Sequence, residues 1–327
     1  MHYQIHYAAG VFGPGHNSFV KAEDDSLVAK QIIPYSNRFN RSIPVSENDY
    51  FLFTGWWTAY CCQDAYVGFE NTFGIKPNIF LYFIQDYEPG FYSWSTKYLL
   101  ADSTYKSDYP TIAIFNSMLL KEFFDENHYH FTHSFAFDPV LNDGLRKALE
   151  QMPAQVDKKK QILVYGRPGT ERNAFNLVVA ALKKWVMMQP EEWEILSAGE
   201  MHRSIPLGNG KELVSVGKLT IEEYARTLQE TYAGISLMCS PHPSYPPLEM
   251  SVFDVKTITN TYANKDLKDF NDNMVSLDNI SPMNIATHLT EICKAYRPQV
   301  EHVTANPLYV KNEHVFDFIK DIKEILG

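Results

Sequence analysis

The sequence predicts an α/β protein with two domains, each a parallel sheet covered by helices, that face each other across a cleft. The chain of 327 residues is long enough to form two separate hydrophobic cores. After residue 160, short apolar runs alternate steadily with segments of helical period. A proline and a run of charges in residues 151–160 separate this half from the first. Because strand–helix–strand crossovers are right-handed, the alternation predicts a doubly wound, Rossmann-like topology.

The composition limits the classes of partner. Apolar residues make up 45% of the chain and charged residues 21%, which is typical of a globular protein. A net charge of -10 disfavours nucleic acid or an anionic membrane surface as the main partner. No apolar run approaches the ~18 residues of a membrane span, and no signal-peptide pattern opens the chain. We therefore expect a cytoplasmic protein with at most peripheral membrane contact.

Neither the cysteines nor the histidines form a metal-binding pattern. The cysteines are Cys61, Cys62, Cys239 and Cys293. Their spacing predicts reduced thiols in a cytoplasmic protein. His128, His130 and His133 fall in a predicted strand, where His133 would point away from the other two, and no carboxylate pattern completes a site. We expect no metal.

The second half supplies the clearest elements. The predicted strands cover residues 161–165, 193–197, 213–216, 234–239 and 255–259. The predicted helices follow residue 175, open at Thr220, lie around residues 248–253, and cover residues 285–296 and 316–326. Thr220 and Glu223 form a T-x-x-E capping box, which is a helix start signal.

The first half is less regular. Residues 50–53, 79–84 and 111–114 are predicted strands, and residues 117–126 are a predicted helix. The opening residues 1–6 are short, and residues 12–17 (FGPGHN) follow almost at once. Gly13-Pro14-Gly15 lacks the strand and helix that a dinucleotide fingerprint requires, and one hypothesis is that this domain lacks its first unit. We place the domains at 1–155 and 156–300, with a C-terminal helix in 301–327 for which packing on the first domain is one arrangement.

The strongest local signal is the segment of residues 165–173 (YGRPGTERN), where an apolar strand ends before a helix. Ligands of parallel α/β sheets lie at the carboxyl ends of strands, and a helix N-terminus favours a phosphate there. Arg167 and Arg172 flank this point, and guanidinium groups bind phosphate oxygens in bidentate fashion. The alternative is a capped helix with two solvated arginines.

A second signal lies in residues 240–250 (SPHPSYPPLEM). Its four prolines predict a stiff loop after a strand, and Glu249 falls in the first turn of a short helix. A carboxylate there can accept hydrogen bonds from the hydroxyls of a ribose or hexose. The alternative is a helix N-terminal glutamate without a ligand. Lys218 adds a third cation at the same predicted edge, although a lone loop lysine is normally solvated.

A third signal lies in residues 83–92 (FIQDYEPGFY) of the first domain. Asp86 and Glu88 follow an apolar strand. The neighbouring rings are Trp56, Trp57, Tyr87, Tyr92 and Trp94. Rings that cover the C–H faces of a sugar and carboxylates that accept its hydroxyls are typical of carbohydrate sites. Packing of an aromatic core explains many of these rings without a ligand.

Several of these segments together resemble the motifs of one enzyme family. Gly166-Arg167-Pro168 with Arg172 is similar to a G-R-L…K-G phosphate element, with Arg172 where a lysine usually stands. Residues 217–219 (GKL) resemble a segment that lines the nucleotide, and residues 247–250 (PLEM) resemble V-E-A-M, whose glutamate binds the ribose. In the first half, residues 56–60, 82–92 and 114–119 are similar to a narrower group, and Asp138 matches the aspartate of an N-G-V-D segment. The family is glycosyltransferase family 4, and the resemblance is closest to its WsaF-like rhamnosyltransferases.

The resemblance covers roughly residues 45 to 300 and implies a GT-B fold and an enzyme. It implies a retaining transferase that moves L-rhamnose from a dTDP-rhamnose donor to a glycan or lipid-linked glycan acceptor, with no cofactor and no metal. Arg167 with Arg172, Lys218 and Gly166 would hold the diphosphate, and Glu249 the ribose. The sugar and acceptor residues would be Asp86, Tyr87, Glu88, Trp57 and Asp138, with Asp86, Arg167 and Lys218 as the catalytic set.

One departure from the family pattern concerns its E-x7-E motif. Only the second glutamate is kept, because Pro241 stands at the first position. The donor sugar therefore stays open, and another nucleotide sugar is one alternative. A non-catalytic carbohydrate-binding protein on a decayed transferase scaffold is another. A Rossmann oxidoreductase is disfavoured, since no G-x-G-x-x-G follows a strand.

Overall fold

Two sheets dominate the computed structural model. It describes residues 49–74, 76–189, 192–302 and 306–327, together with the backbone of residues 20–21 and 31–32. The opening residues 1–6 and the segment 12–17 lie outside the described residues. The strands are β1 (Val20–Lys21), β2 (Gln31–Ile32), β3 (Leu52–Phe53), β4 (Phe80–Ile84), β5 (Thr111–Phe115), β6 (His133–Ala136), β7 (Gln155–Asp157), β8 (Lys159–Gly166), β9 (Glu194–Gly199), β10 (Ile205–Gly208), β11 (Lys211–Gly217), β12 (Thr231–Ile235), β13 (Lys256–Asn260), β14 (Met274–Leu277) and β15 (Gln299–Glu301).

Helices cover both sheets. They are α1 (Trp56–Phe73), α2 (Thr96–Tyr105), α3 (Met118–Glu126), α4 (Asp143–Glu150), α5 (Phe175–Met188), α6 (Ile221–Glu230), α7 (Tyr245–Val252), α8 (Pro282–Lys294), α9 (Pro307–Val310) and α10 (Ile319–Leu326). Short 3₁₀ turns at Glu88–Phe91 and Glu171–Asn173 precede α2 and α5.

The first sheet has the strand order β3-β4-β5-β6, and all its neighbours are parallel. Its core is made mainly of aromatic rings, including the buried Phe80, Tyr82, Phe115 and Phe124. The rings meet edge to face, as for Phe115 and Phe124, whose centroids lie 5.1 Å apart at 61°. The high aromatic content of this half therefore serves packing to a large extent.

The second sheet has seven strands in the order β10-β11-β9-β8-β12-β13-β14. Every neighbouring pair is parallel except β10 and β11, which form an antiparallel hairpin. Trp185 of α5 is fully buried against this sheet. The predicted capping box at Thr220 is present, with reciprocal bonds between Thr220 and Glu223.

Two predictions about local elements are wrong, and one long helix was not predicted. The strand predicted at 234–239 ends at Ile235, because the chain beyond it turns into the cleft loop. His128 and His130 lie in a turn and a loop after α3 and not in a strand, and His128 has a φ of 60°. The 18-residue helix α1, which ends at the left-handed Gly74, has no counterpart among the predictions.

The two halves of the chain contact each other at several points. Asn264 donates a hydrogen bond to the carbonyl of Leu119 at 2.8 Å. Near the C-terminus, Phe318 stacks on Phe135 of β6 with centroids 5.7 Å apart. Strand β15 pairs with β7 between the two sheets. The last residues of the chain therefore pack against the first sheet.

Candidate functional site

Loops from the carboxyl ends of both sheets meet at one buried carboxylate, Asp86. This residue follows β4, and it accepts a hydrogen bond from the hydroxyl of Ser240, which follows β12. It also accepts one from the backbone N–H of Tyr87 at 2.8 Å. The Nε of Arg172, in the turn between β8 and α5, lies 3.7 Å from its Oδ2. The cleft that a doubly wound topology predicts is thus closed by polar contacts between the domains.

Burial and the neighbouring charges shift the pKa of Asp86 in opposite directions. Burial raises the pKa of Asp86, whereas the hydroxyl of Ser240 and the charges of Arg172 and Lys265 lower it. Lys265 is fully buried, and its Nζ donates to the carbonyl of Met238 at 2.7 Å. Burial lowers its pKa to about 8, although the charge of Asp86 acts in the opposite direction. A carboxylate and two cations therefore share one poorly solvated region.

Arg172 reaches across the cleft and away from its own sheet. Its guanidinium carbon lies 4.2 Å from the ring centroid of Phe91, in the loop that follows Asp86. Its Nε is buried and has no hydrogen-bond acceptor within reach among the residues that the structure describes. The nearest anion is Oδ2 of Asp86, 3.7 Å away, so this nitrogen faces its ion-pair partner without forming a hydrogen bond.

His242 is a neutral histidine in the same cleft. It is buried, and its Nδ1 accepts the N–H of Ser244 at 3.0 Å, which places the ring proton on Nε2. Burial, with the charges of Lys265 and Arg172, lowers its pKa to about 4. The backbone of Asn116, from the first domain, lies beside the ring. His242 therefore offers an N–H at neutral pH without adding a charge.

The predicted diphosphate element contains Gly166, Arg167 and Arg172, and these residues diverge. A Cβ on Gly166 would lie 1.9 Å from the Oγ of Ser197, so only glycine fits at the end of β8. The side-chain stem of Arg167 lies over Gly199, at the end of the neighbouring strand β9, whereas Arg172 turns toward Asp86. Arg167 and Arg172 thus face different parts of this sheet edge.

A carboxylate already occupies part of the loop after β8. The N–H of Gly169 donates to Oε2 of Glu200 at 2.9 Å. Helix α5 begins only at Phe175, after a 3₁₀ turn and a left-handed Ala174 with a φ of 51°. The end of β8 and the N-terminus of α5 are therefore separated by this turn and are not adjacent as predicted.

Glu249 is partly buried beside tyrosines. It lies in the second turn of α7 and not, as predicted, in the first, because the helix begins at Tyr245. Burial raises its pKa to about 7, and the nearby hydroxyl of Tyr224 acts in the opposite direction. Burial is the main cause that raises the pKa values of Tyr224 and Tyr309, and the charge of Glu249 raises them further. Such an environment is typical of a carboxylate kept for binding or catalysis.

Two further features complete this edge of the sheet. Pro246 and Pro247 occupy the first turn of α7 and carry no N–H, so this helix end offers few donors to a phosphate. Lys218 is exposed directly after Gly217, the last residue of β11, whose φ is 66°. Its side chain is free to move toward a ligand at the carboxyl ends of the strands.

Glu88 and Tyr87 are engaged inside the first domain. Oε2 of Glu88 accepts the N–H of Trp56 at 2.6 Å, at the start of α1, and the hydroxyl of Tyr105 at 3.2 Å. Burial raises the pKa of Glu88 to about 7. The hydroxyl of Tyr87 lies 3.0 Å from that of Tyr129. Both side chains hold the loop that carries Asp86.

Trp57 and Asp138 lie outside this cluster. Trp57 is half exposed and meets Trp56 edge to face. Asp138 is exposed, and its Oδ1 accepts the N–H of Met118 at 2.9 Å, at the start of α3. Their predicted contacts with a sugar or acceptor stay predictions.

Three residues of the cleft escaped the sequence analysis: Ser240, His242 and Lys265. The first two lie in the proline-rich segment that the sequence analysis singled out for Glu249. The signal that the sequence offered was His242, which stands between two prolines after a strand. No local sequence pattern marks Lys265, because only the tertiary structure buries it.

Within the described part of the chain, no group of three His, Cys, Asp or Glu side chains is close enough to hold a metal ion. All four cysteines are free thiols. None of the described helices has the length and apolar character that a membrane crossing requires.

Solved structures define the class of this fold. HepE of Anabaena, solved with UDP and glucose, aligns over 91% of this chain and 85% of its own with a TM-score of 0.59 and 10% identity. Sucrose-phosphate synthase of Thermosynechococcus elongatus aligns over 75% of this chain and 64% of its own, with a TM-score of 0.51 and 12% identity. The predicted fold is confirmed: the chain has the GT-B fold of glycosyltransferases.

The family follows from the sequence comparisons. The model described as WsaF, N-terminal domain matches residues 10–118, and that of the WsaF C-terminal domain matches residues 160–290. The chain belongs to the WsaF family, as the resemblance of its motifs predicted. An O-antigen biosynthesis protein, RfbC of Myxococcus xanthus, is 34% identical over 185 residues, which are 55% of this chain. The match spans only 14% of the length of that relative.

Proposed function

We propose that this chain is a glycosyltransferase that moves L-rhamnose from dTDP-rhamnose to a growing surface glycan, with retention at the anomeric carbon and without a metal ion. The observation that carries the proposal is the cluster of Asp86, Ser240 and Arg172 across the cleft. A transferase needs donor and acceptor aligned between two domains, since positioning supplies much of its rate. Membership of the WsaF family supports this class, and the name of the relative RfbC supports a glycan as the acceptor.

The second domain would bind the donor. Glu249 would accept the ribose hydroxyls, and its burial among tyrosines makes an unshared carboxylate costly unless a ligand satisfies it. Arg172, whose Nε faces Asp86 and whose side chain is 28% exposed, would bind a diphosphate oxygen through its terminal nitrogens. Arg167 and Lys218 are the other cations at this edge. Gly166 would contribute through its backbone, because Ser197 fills the space beside its Cα.

The cations would perform the electrostatic part of the chemistry. When the bond between the anomeric carbon and the diphosphate breaks, its electron pair goes to the phosphate oxygen. Fixed positive groups stabilise that developing charge in a poorly solvated cleft. Arg172, with Arg167 and Lys218, would supply the charge that a divalent ion supplies in other transferases. Asp86 would orient the reacting sugar and the acceptor hydroxyl.

Calorimetric titration with dTDP, UDP and GDP, each with and without EDTA, tests the donor side. We expect dTDP to bind most tightly and EDTA to have no effect. Arg167→Ala should weaken dTDP binding and lower kcat in a dTDP-rhamnose transfer assay. Lys294→Ala, exposed at the end of α8 near the start of β8, at the opposite edge of the sheet, should change neither. Tight binding that EDTA abolishes would contradict the metal-free proposal, and unchanged kinetics of the Arg167 variant would remove this residue from the site.

A second candidate is a non-catalytic carbohydrate-binding protein. Pro241 at the first position of the E-x7-E motif favours it, and so do the two prolines that remove N–H donors from the start of α7. Binding of sugars without binding of any of the three nucleotides would favour this second function. A transfer product would exclude it. Within the first proposal we place the reaction in the cytoplasm, with at most peripheral contact with the membrane.

A further inference from the structure

An exposed tryptophan stands at the rim of the cleft. Trp94 is 93% exposed, the highest value among the exposed large hydrophobic residues of the described chain. Its indole stacks on the ring of Tyr98, with centroids 5.6 Å apart and planes inclined by 23°. One face of the indole is therefore supported, and the other is open to solvent. An isolated exposed apolar side chain requires no explanation, so its surroundings decide its meaning.

The supporting ring is fixed by a chain of hydrogen bonds. The hydroxyl of Tyr98 lies 3.3 Å from that of Tyr87, which lies 3.0 Å from that of Tyr129. The hydroxyl of Tyr129 donates to Oδ1 of Asp102 at 2.5 Å. The stack therefore has a set orientation before any ligand arrives, which reduces the entropy lost on binding.

The loop that carries Trp94 borders the cleft between the two domains. Tyr87 is the residue after Asp86, and its hydroxyl lies 3.3 Å from that of Tyr98, which supports the indole. Phe91, three positions before Trp94, lies under the guanidinium of Arg172 from the second domain, whose carbon is 4.2 Å from the ring centroid. The stack therefore belongs to a loop that contacts both domains near Asp86.

We propose that Trp94, supported by Tyr98, binds one neutral hexopyranose unit of the acceptor glycan, next to the unit that reacts at Asp86. This proposal rests on the proposed transferase function. The C–H groups on one face of a pyranose ring pack on the negative face of an indole.

The size and polarity of the platform favour a sugar. A single pair of stacked rings matches one pyranose, whereas a protein partner requires ~800 Å² of contact surface on each side. The hydroxyl of Tyr98 and the hydrogen-bonded hydroxyls behind it suit a polar ligand better than a lipid chain. Lys97, the cation nearest to Trp94 in the sequence, lies over the ring of Tyr92, 5.7 Å from its centroid.

The five tryptophans permit a direct test on the full chain. Fluorine NMR of the protein labelled with 5-fluorotryptophan resolves each indole, and Trp94→Phe assigns one signal. The probes are methyl α-L-rhamnopyranoside, methyl α-D-glucopyranoside and methyl α-D-mannopyranoside, with glycerol as a control polyol. We expect a saturable shift of the Trp94 signal with at least one glycoside. Trp185, which is fully buried, should not shift. No saturable shift of Trp94, or an equal shift with glycerol, would overturn the proposal.

Kinetics separate this proposal from the transferase itself. In the transfer assay, Trp94→Ala should raise the KM for acceptor by roughly tenfold and leave the KM for the donor unchanged. The acceptor KM of Trp94→Phe should fall between those of the wild type and Trp94→Ala, because a smaller ring still stacks. Phe73→Ala, at the exposed end of α1, is the matched control and should change neither constant. An active enzyme whose acceptor KM is unaffected by Trp94→Ala would refute the platform, whereas a saturable Trp94 shift in a protein that binds no nucleotide would refute only the transferase.

Discussion

Replacing Glu249 with glutamine should stabilise the protein above neutral pH. Burial raises the pKa of this carboxyl from 4.5 to about 7. The folded protein therefore binds this proton more tightly than the unfolded chain, and the free energy of unfolding falls as the pH rises from 4.5 to about 7. One pKa unit corresponds to about 1.4 kcal/mol, so the full shift costs about 3 kcal/mol above pH 7. A glutamine does not ionise and escapes this cost.

The difference between the two proteins should thus depend on pH in a defined direction. Near pH 4 the variant and the wild type should have similar stability, apart from any change in the contact with the hydroxyl of Tyr224. Near pH 8 the variant should be more stable by up to about 3 kcal/mol. Urea unfolding at the two pH values, followed by near-UV circular dichroism, measures the difference. Glu222→Gln, at an exposed position of the neighbouring helix α6, is the matched control.

The same substitution should weaken the binding of dTDP. If Glu249 accepts the ribose hydroxyls, the loss of its charge removes hydrogen bonds worth roughly 1.5–3 kcal/mol, or about 10- to 100-fold in Kd. A variant that gains stability and loses affinity is typical of a group retained for function. A variant that is less stable at pH 8 would refute the electrostatic reasoning. A more stable variant with unchanged affinity would refute the ribose role alone.

Two further substitutions test the framework that positions the cleft. Glu88→Ala should destabilise the first domain by about 1–3 kcal/mol, because the N–H of Trp56 and the hydroxyl of Tyr105 lose their buried acceptor. Glu88→Gln keeps an acceptor and should lose less stability in thermal unfolding. Equal losses of stability in the two variants would contradict this role. Trp185→Ala should cost about 3–5 kcal/mol in the second domain, since the indole is fully buried. Denaturant unfolding compares it with Met187→Ala, an exposed neighbour on α5 that should change stability by under about 0.5 kcal/mol.

The local patterns of the second domain predicted its elements well. Strands β8, β9, β11 and β13 lie where apolar runs were found, because a strand buried on both faces must be apolar along its length. Thr220 and Glu223 fixed the start of α6, since a capping box depends only on residues three positions apart. The edge strands β10 and β14 have only four residues each, and they were not predicted.

The first domain was harder to predict because its helix α1 has no apolar stripe. Aromatic, small and polar residues alternate along it, and only Ala59 and Tyr66 are buried. The helix is fixed from outside, by the Glu88 carboxylate at its first N–H and by the left-handed Gly74 at its end. Glu88 was predicted to contact a sugar, and its observed partners, Trp56 and Tyr105, lie 32 and 17 positions away.

The sequence by itself determined the alternation of the main strands and helices of the second domain, the sheet edge where polar loops gather, and the identity of Asp86, Arg172 and Glu249 as site candidates. These features depend on hydrophobic period and on the ends of strands, which are local. The tertiary structure alone decided that Asp86 bonds to Ser240, 154 positions away, that Lys265 is buried beside them, and that Arg167 and Arg172 diverge. The physical reason is that such contacts depend on how two sheets are oriented, and burial shifts a pKa only after that orientation has excluded water.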